Sequence, residues 1–408
     1  MCEAYINKPL GFKACGIYAG LKTDPGNSGN TDLYDVALIY SESPAKVAGV
    51  YTSNLVKGHS LVRSIDLINS KEAFRAFVIN SKVANACVGQ AGYEDAAKIA
   101  ACAAGELGIT ADEVLTASTG TIGVRLPVDK INAALPKLAS SLSREAEDGH
   151  KAERAIMTTD TVPKEVTAEI TLSSGKTVVI SGMAKGSGMI SPNLATMIGV
   201  FTTDADMDSA LLNKVLKSAV SHSFNRVCVD GDTSVCDMVT LWANGASGAV
   251  IEEGTSDYDL FSEALTDLAT DLSRLIAKDG EGATKLLEIT VDGAANEKDA
   301  LLIVSAVAKS PLVKTGFFGE DANFGRIITA AGYSGASFDP DKIDIDVSGL
   351  PVCRDGIMLV FDEDEAAKLL HEEEIKIDIR LKEGDAFDRM FTCDFSYKYV
   401  EINGSYRT

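Results

Sequence analysis

The residues best suited to chemistry lie in one stretch, "KGSGMISPNLAT", Lys185 to Thr196. A threonine at the head of an apolar segment is ordinarily structural, because β-branched side chains favour strands. Here it follows a small residue, an Asn and a Pro, at the end of a glycine-rich loop. Backbone self-cleavage needs that combination. The hydroxyl must reach its own preceding carbonyl, and small residues and glycines permit the strained peptide this takes. Attack converts the Ala195–Thr196 amide into an ester, and hydrolysis leaves Thr196 as a new N-terminus. Its α-amino group, with an ordinary pKa of about 7.7–8.0, could then act as base for its own hydroxyl.

Elsewhere the signals are weaker. Asp230 and Asp232 in "VDGDTS" bracket a glycine as ligands of a hard cation do. An EF-hand loop needs further oxygen ligands and a distant Glu, which the mainly apolar "VCDMVTLWA" does not supply. No metal is expected. "KGSGMIS" lacks the closing Gly-Lys-Ser/Thr of a phosphate-binding loop.

The elements that must hold these residues alternate in type. "DVALIYS", "AGVYTS" and "AFVINS" read as strands, and "YEDAAKIAACAAGELG" and "PVDKINAALPKLASSLS" as helices, an α/β pattern. An apolar run ends in a Ser-Thr-Gly turn at Ser118 to Gly120. "VPKEVTAEITLSSGKTVVISGMAKGSG" alternates apolar and polar residues on both sides of Ser173-Ser174-Gly175, which predicts a β-hairpin leading into the glycine-rich loop. "DSALLNKVLKSAVSHSFN" and "SDYDLFSEALTDLATDLSRLIAKDG" are amphipathic helices. Beyond about Ser334 the chain turns β-rich, with one charged helix at "DEDEAAKLLHEEE". No repeat or low-complexity linker marks a domain boundary.

Bulk properties narrow the function. The chain has 408 residues, 46% of them apolar, enough for a large core and for two or three domain-sized units. A net charge of -21 argues against nucleic acid, whose binding draws on clustered Lys and Arg. The eight cysteines form no CxxC pair and no zinc spacing, so they read as mostly buried small hydrophobes in a reducing compartment. The first residues carry charges and a proline where a signal peptide needs an apolar core, and no run reaches a membrane span of about 18 apolar residues. A cytoplasmic protein is expected.

The stretch around Thr196 closely resembles the self-processing site of the ornithine acetyltransferase family, also called the bifunctional glutamate N-acetyltransferase/amino-acid acetyltransferase or ArgJ family. The resemblance runs nearly end to end through "GFKACGIYAGLK", "ASTGTIGVRLP", "MTTDTVPK", "VDGDTSVCDMV", "KDGEGATKLLEI", "SPLVKTGFFGEDANFGRI" and "CDFSYKYVEINGSYRT", in family order. It implies a layered α/β sandwich of the DmpA/ArgJ-like type, self-cleaved into chains that fold together. These would be an α chain, 1–195, and a β chain, 196–408, with a smaller C-terminal α/β region from about 335.

The implied reaction moves acetyl from N2-acetylornithine to Thr196 and then to glutamate, a ping-pong transfer through an ester. Thr119 and Gly120 match the family's oxyanion pair. Thr159, Lys185, Thr196, Glu281, Asn403 and Thr408 match substrate-binding positions, with Lys185 facing a carboxylate and Glu281 an ammonium. The active form resembles an α2β2 heterotetramer without cofactor. The family holds mono- and bifunctional members, so acetyl-CoA as a second donor stays open. At Lys82-Val83, Val235-Cys236, Ala322 and Phe324 this chain departs from the family's usual Gly-Asn, Thr-Asn, Pro and Trp. These departures are expected to leave the catalytic groups untouched and to bear on selectivity and packing. Two rivals stand beside this reading: an aminopeptidase or amidohydrolase of the same superfamily, with water as acceptor, and an amino-acid-binding protein that is never processed.

Overall fold

The computed structural model describes residues 3–22, 33–191 and 197–405. Ala195, Thr196 and Thr408 therefore lie outside the described residues. In chain order the strands are β1 (Phe12–Ile17), β2 (Val36–Tyr51), β3 (Phe74–Asn80), β4 (Val114–Ser118), β5 (Glu165–Thr171), β6 (Thr177–Lys185), β7 (Ile198–Thr203), β8 (Val227–Cys228), β9 (Met238–Ala243), β10 (Leu286–Ala294), β11 (Asp344–Val347), β12 (Leu350–Arg354), β13 (Ile357–Met358), β14 (Glu374–Arg380) and β15 (Ala386–Cys393). They form two sheets. One runs β4-β3-β2-β9-β7-β6-β5 with β1 beside β2, and the other runs β13-β12-β11-β14-β10-β15-β8.

The architecture is layered α/β. Period-two alternation in β2 and β3 sends Ala37, Ile39, Phe77 and Ile79 to one face, where they pack with helix Ala146–Ile156. It sends Val36, Leu38, Ala76 and Val78 to the other, against helices Gln90–Leu107 and Val128–Ser140. Helices Ser209–His222 and Ser256–Lys278 fill the space between the sheets, sharing one core with Phe201 of the first and Phe391 of the second. Their starts are set locally. Asp208 accepts the Leu211 N–H at 2.8 Å and Thr255 the Tyr258 N–H at 3.2 Å, caps each worth about 1 kcal/mol. Helix Glu297–Lys309 covers the second sheet.

The two strands expected at "DVALIYS" and "AGVYTS" are one strand, β2, with a register shift between Tyr40 and Ala45. Pro44 has no N–H to donate, so the ladder slips there instead of ending. The first half of β2 then pairs with β1 and β3 and the second half with β9. The hairpin around Ser173–Gly175 is present as β5 and β6, and the charged helix as Glu363–Leu370. Among the described residues no single helix is long and apolar enough to cross a membrane. Of the seven described cysteines, Cys15, Cys228, Cys236, Cys353 and Cys393 are buried and Cys87 is exposed.

Candidate functional site

The strand pairing gathers several chain segments at one end of the first sheet. Lys185 closes β6 opposite Ile198, which opens β7, and Ile198 in turn lies beside Met238 at the start of β9. β4 ends nearby in Ser118 and runs into Thr119-Gly120. At this end lies a cavity of about 250 Å³, sized for one small molecule. Thr119, Gly120, Thr159, Glu281 and Asn403 line it together.

Thr119 and Gly120 present donors. The Thr119 N–H is spent on the Asn80 carbonyl at 3.0 Å, and Ser118 Oγ on Asn80 Oδ1 at 2.6 Å. Among the described residues nothing accepts from the Thr119 hydroxyl or the Gly120 N–H, so both can point at a developing oxyanion. Gly120 has φ +129°, and a side chain there would run into the Lys82 carbonyl group. Only glycine serves at this position.

Lys82 itself sits at φ +77°, the left-handed region that favours the glycine usual in the family. Its carbonyl accepts the Thr121 N–H at 2.9 Å. The departures at Lys82, Val235 and Cys236 fall beside the site and not on its catalytic residues, where they bear on packing and selectivity. Lys82 is packed against Gly120, and Val235 and Cys236 line the cavity.

The glycine-rich segment ahead of Thr196 is pinned by carboxylates distant in sequence. Asp160 Oδ1 accepts the Gly186 N–H at 2.6 Å. Asp230 accepts the N–H groups of Met189 at 2.5 Å and Ile190 at 2.9 Å. The Ser187 carbonyl accepts the Glu281 N–H at 3.0 Å. Just beyond Thr196, Asp237 Oδ1 accepts the Met197 N–H at 3.0 Å. Burial pushes the Asp237 carboxyl well above the usual carboxylate range, with Lys185 opposing.

Glu281 is only 9% exposed and receives an N–H of Asn403, from the C-terminal helix Tyr397–Ser405, at 2.9 Å. Gly188 lets it in, since a Cβ there would come closer than 3.0 Å to the Glu281 carboxyl. The rest of that wall is acidic. Asp230 is raised to about 6, by burial first and by Asp232 in addition. The Tyr399 phenol is raised to about 12, by burial and then by Asp230, Asp232 and Glu281. The two aspartates weighed above as cation ligands therefore face the cavity, where negative charge favours a cationic substrate group.

Lys185 is placed differently from its neighbours. Its side chain is 1% exposed and buried behind the wall. Burial lowers its pKa, while Asp160 and Asp237 raise it. Behind the same wall Lys164, with no exposed side chain, bridges Asp160 at 2.9 Å and Asp279 at 2.6 Å. Burial alone would lower the Lys164 pKa, but Asp160 and Asp279 outweigh it and the net shift is upward. Asp160 feels burial in the opposite sense, and Lys164 and Lys185 hold it well below the usual range. Sequence spacing gave no sign of this cluster.

The model of the ArgJ family matches residues 13–408. The "Arginine biosynthesis bifunctional protein ArgJ" of Caldanaerobacter subterraneus subsp. tengcongensis is 46% identical over 411 residues, spanning 100% of this chain and 99% of its own. The protein of the same name from Symbiobacterium thermophilum is 46% identical over 404 residues, 99% of this chain and 98% of its own. Among solved structures, the ArgJ protein of Bacillus halodurans is 38% identical and covers 50% of this chain and 97% of its own, at a TM-score of 0.48.

Proposed function

The chain belongs to the ArgJ family of arginine-biosynthesis acetyltransferases, and from that premise we propose that it moves acetyl from N2-acetylornithine to glutamate through an ester on Thr196. The chain first cuts itself between Ala195 and Thr196, giving fragments 1–195 and 196–408. The Thr196 hydroxyl then attacks the acetyl carbonyl while its proton passes to the new α-amine. The tetrahedral oxyanion is held by Thr119 Oγ and the Gly120 N–H. Its collapse breaks the bond to the α-nitrogen of ornithine, which takes the proton and leaves. Glutamate's amine attacks the ester through the same oxyanion site and regenerates Thr196.

Glu281 holds an ammonium of the substrate, with Asn403 orienting the carboxylate. Thr159 and Thr408 complete the contacts. Lys185 contributes positive potential toward the substrate carboxylate from behind the wall. Acetyl-CoA would enter as a second donor to the same hydroxyl, a reading supported by the word "bifunctional" in the names of the relatives. The fragments pair as α2β2.

One observation carries this reading: two donors at Thr119-Gly120, unspent among the described residues, share a single small cavity with Glu281. Intact mass spectrometry of purified protein tests the first step. Wild type should give two fragments, 1–195 and 196–408, and Thr196→Ala one chain. A wild type that stays whole and still transfers acetyl would contradict the N-terminal amine as base.

A further inference from the structure

Three of the segments that shape the cavity meet at one buried ammonium. Lys164 Nζ lies 2.9 Å from Asp160 Oδ1, 2.6 Å from Asp279 Oδ2 and 3.2 Å from the Val162 carbonyl. Asp160 is the residue after Thr159, and its carboxylate also accepts the N–H groups of Thr158 at 2.9 Å and of Gly186, next to Lys185, at 2.6 Å. Asp279 stands two residues before Glu281 and accepts the Thr161 N–H at 3.0 Å as well as the Thr161 hydroxyl. Its own carbonyl accepts Ser187 Oγ at 2.7 Å. Every one of these partners sits within three residues of a cavity-lining group or of Lys185.

We propose that Lys164 is a positioning residue, a buried clamp that sets the separation of Thr159 and Glu281 across the substrate cavity and ties the Lys185-Gly186 backbone to both. A buried ion pair is weak evidence for stability, because desolvation offsets much of the Coulomb attraction. Its better-attested use is to fix one arrangement among several, and here the arrangement fixed is the spacing of the groups that face the substrate. Lys164 and Asp160 precede Thr196 whereas Asp279 follows it. In the cleaved protein the clamp therefore also joins the two fragments at the point where both touch substrate, a consequence that rests on the proposed processing.

The test is a split between binding and turnover. Asp279→Asn keeps the shape and an acceptor for Thr161 but removes one of the two carboxylate charges that Lys164 faces. Once the variant is shown to be folded by circular dichroism, it should raise KM for N-acetylornithine and for glutamate about tenfold or more while kcat falls less than about threefold. Thr161→Ala retains all three charges and loses only the hydroxyl contact to Asp279; checked for folding in the same way, it should raise both KM values about threefold. Unchanged KM values in whichever variant is folded, with only a lower melting temperature, would overturn the assignment and leave Lys164 a purely structural ion. Should wild type show no acetyl transfer, the acetyltransferase reading fails separately, and ornithine titrated by calorimetry then reads the same weakening as a rise in Kd. A wild type that binds no ornithine either overturns both.

Discussion

Asn403 donates its side-chain N–H to Glu281 Oε2 at 2.9 Å across 122 positions of sequence, so the C-terminal helix is fastened to a carboxylate of the cavity wall. Removing the carboxylate charge with Glu281→Gln should lower kcat/KM for N-acetylornithine by about 2–5 kcal/mol, because a substrate ammonium is left without its partner. Asn403→Ala removes only a hydrogen bond to that carboxylate and should lose about 1–2 kcal/mol. Steady-state kinetics of both variants checks the order. Equal effects would mean that Asn403, not the charge, dominates recognition.

Gly188→Ala should impair transfer without unfolding. The added methyl would come closer than 3.0 Å to the Glu281 carboxyl, and that side chain must leave its place on the wall. The expected result is a loss of at least about tenfold in kcat/KM, in keeping with the sensitivity of transfer to ångström-scale misplacement, at near-normal melting temperature. Wild-type kinetics would show that Glu281 has room to move and still function.

The pH dependence of stability should carry a signature of Glu153. This residue is fully buried, and burial raises its carboxyl to about 8 from 4.5, against the Lys164 N–H that it accepts. A native value above the unfolded one means that the folded state binds the extra proton. Its contribution is fully present below about pH 4.5 and is lost progressively as pH rises toward 8. At about 1.4 kcal/mol per pKa unit the full change is on the order of 5 kcal/mol. Glu153→Gln has no proton to lose, so its melting temperature should vary less between pH 4.5 and 8 than that of wild type. Parallel curves would rule out Glu153 as the source of the slope.

Local rules carried much of the fold. The hairpin of β5 and β6 was legible because period-two alternation and a Ser-Ser-Gly turn both act within a few residues. The sequence of β2 reads as two strands because Pro44 is a local stop signal, and only its partners β3 and β9 show that pairing resumes beyond it. Thr119-Gly120 could be found from its turn chemistry. Burial of Lys185 could not, since the groups around it come from other segments, and the partners Lys164 and Asp279 stand 115 positions apart. Asp230 and Asp232 were visible as a pair of acids, but their orientation into the cavity depends on how the 186–190 segment folds back onto Asp230.

The most direct measurement is the mass of the 196–408 fragment after incubation with N-acetylornithine and no acceptor. One acetyl unit should appear on it, localised to Thr196 by peptide sequencing, and glutamate should remove it. Thr119→Ala should slow both the gain and the loss by about 10²–10³, since the same donor serves both oxyanions. An unmodified fragment in protein that still transfers acetyl, with intersecting instead of parallel initial-rate lines, would mean direct transfer between the two substrates and would contradict the acetyl-threonine route.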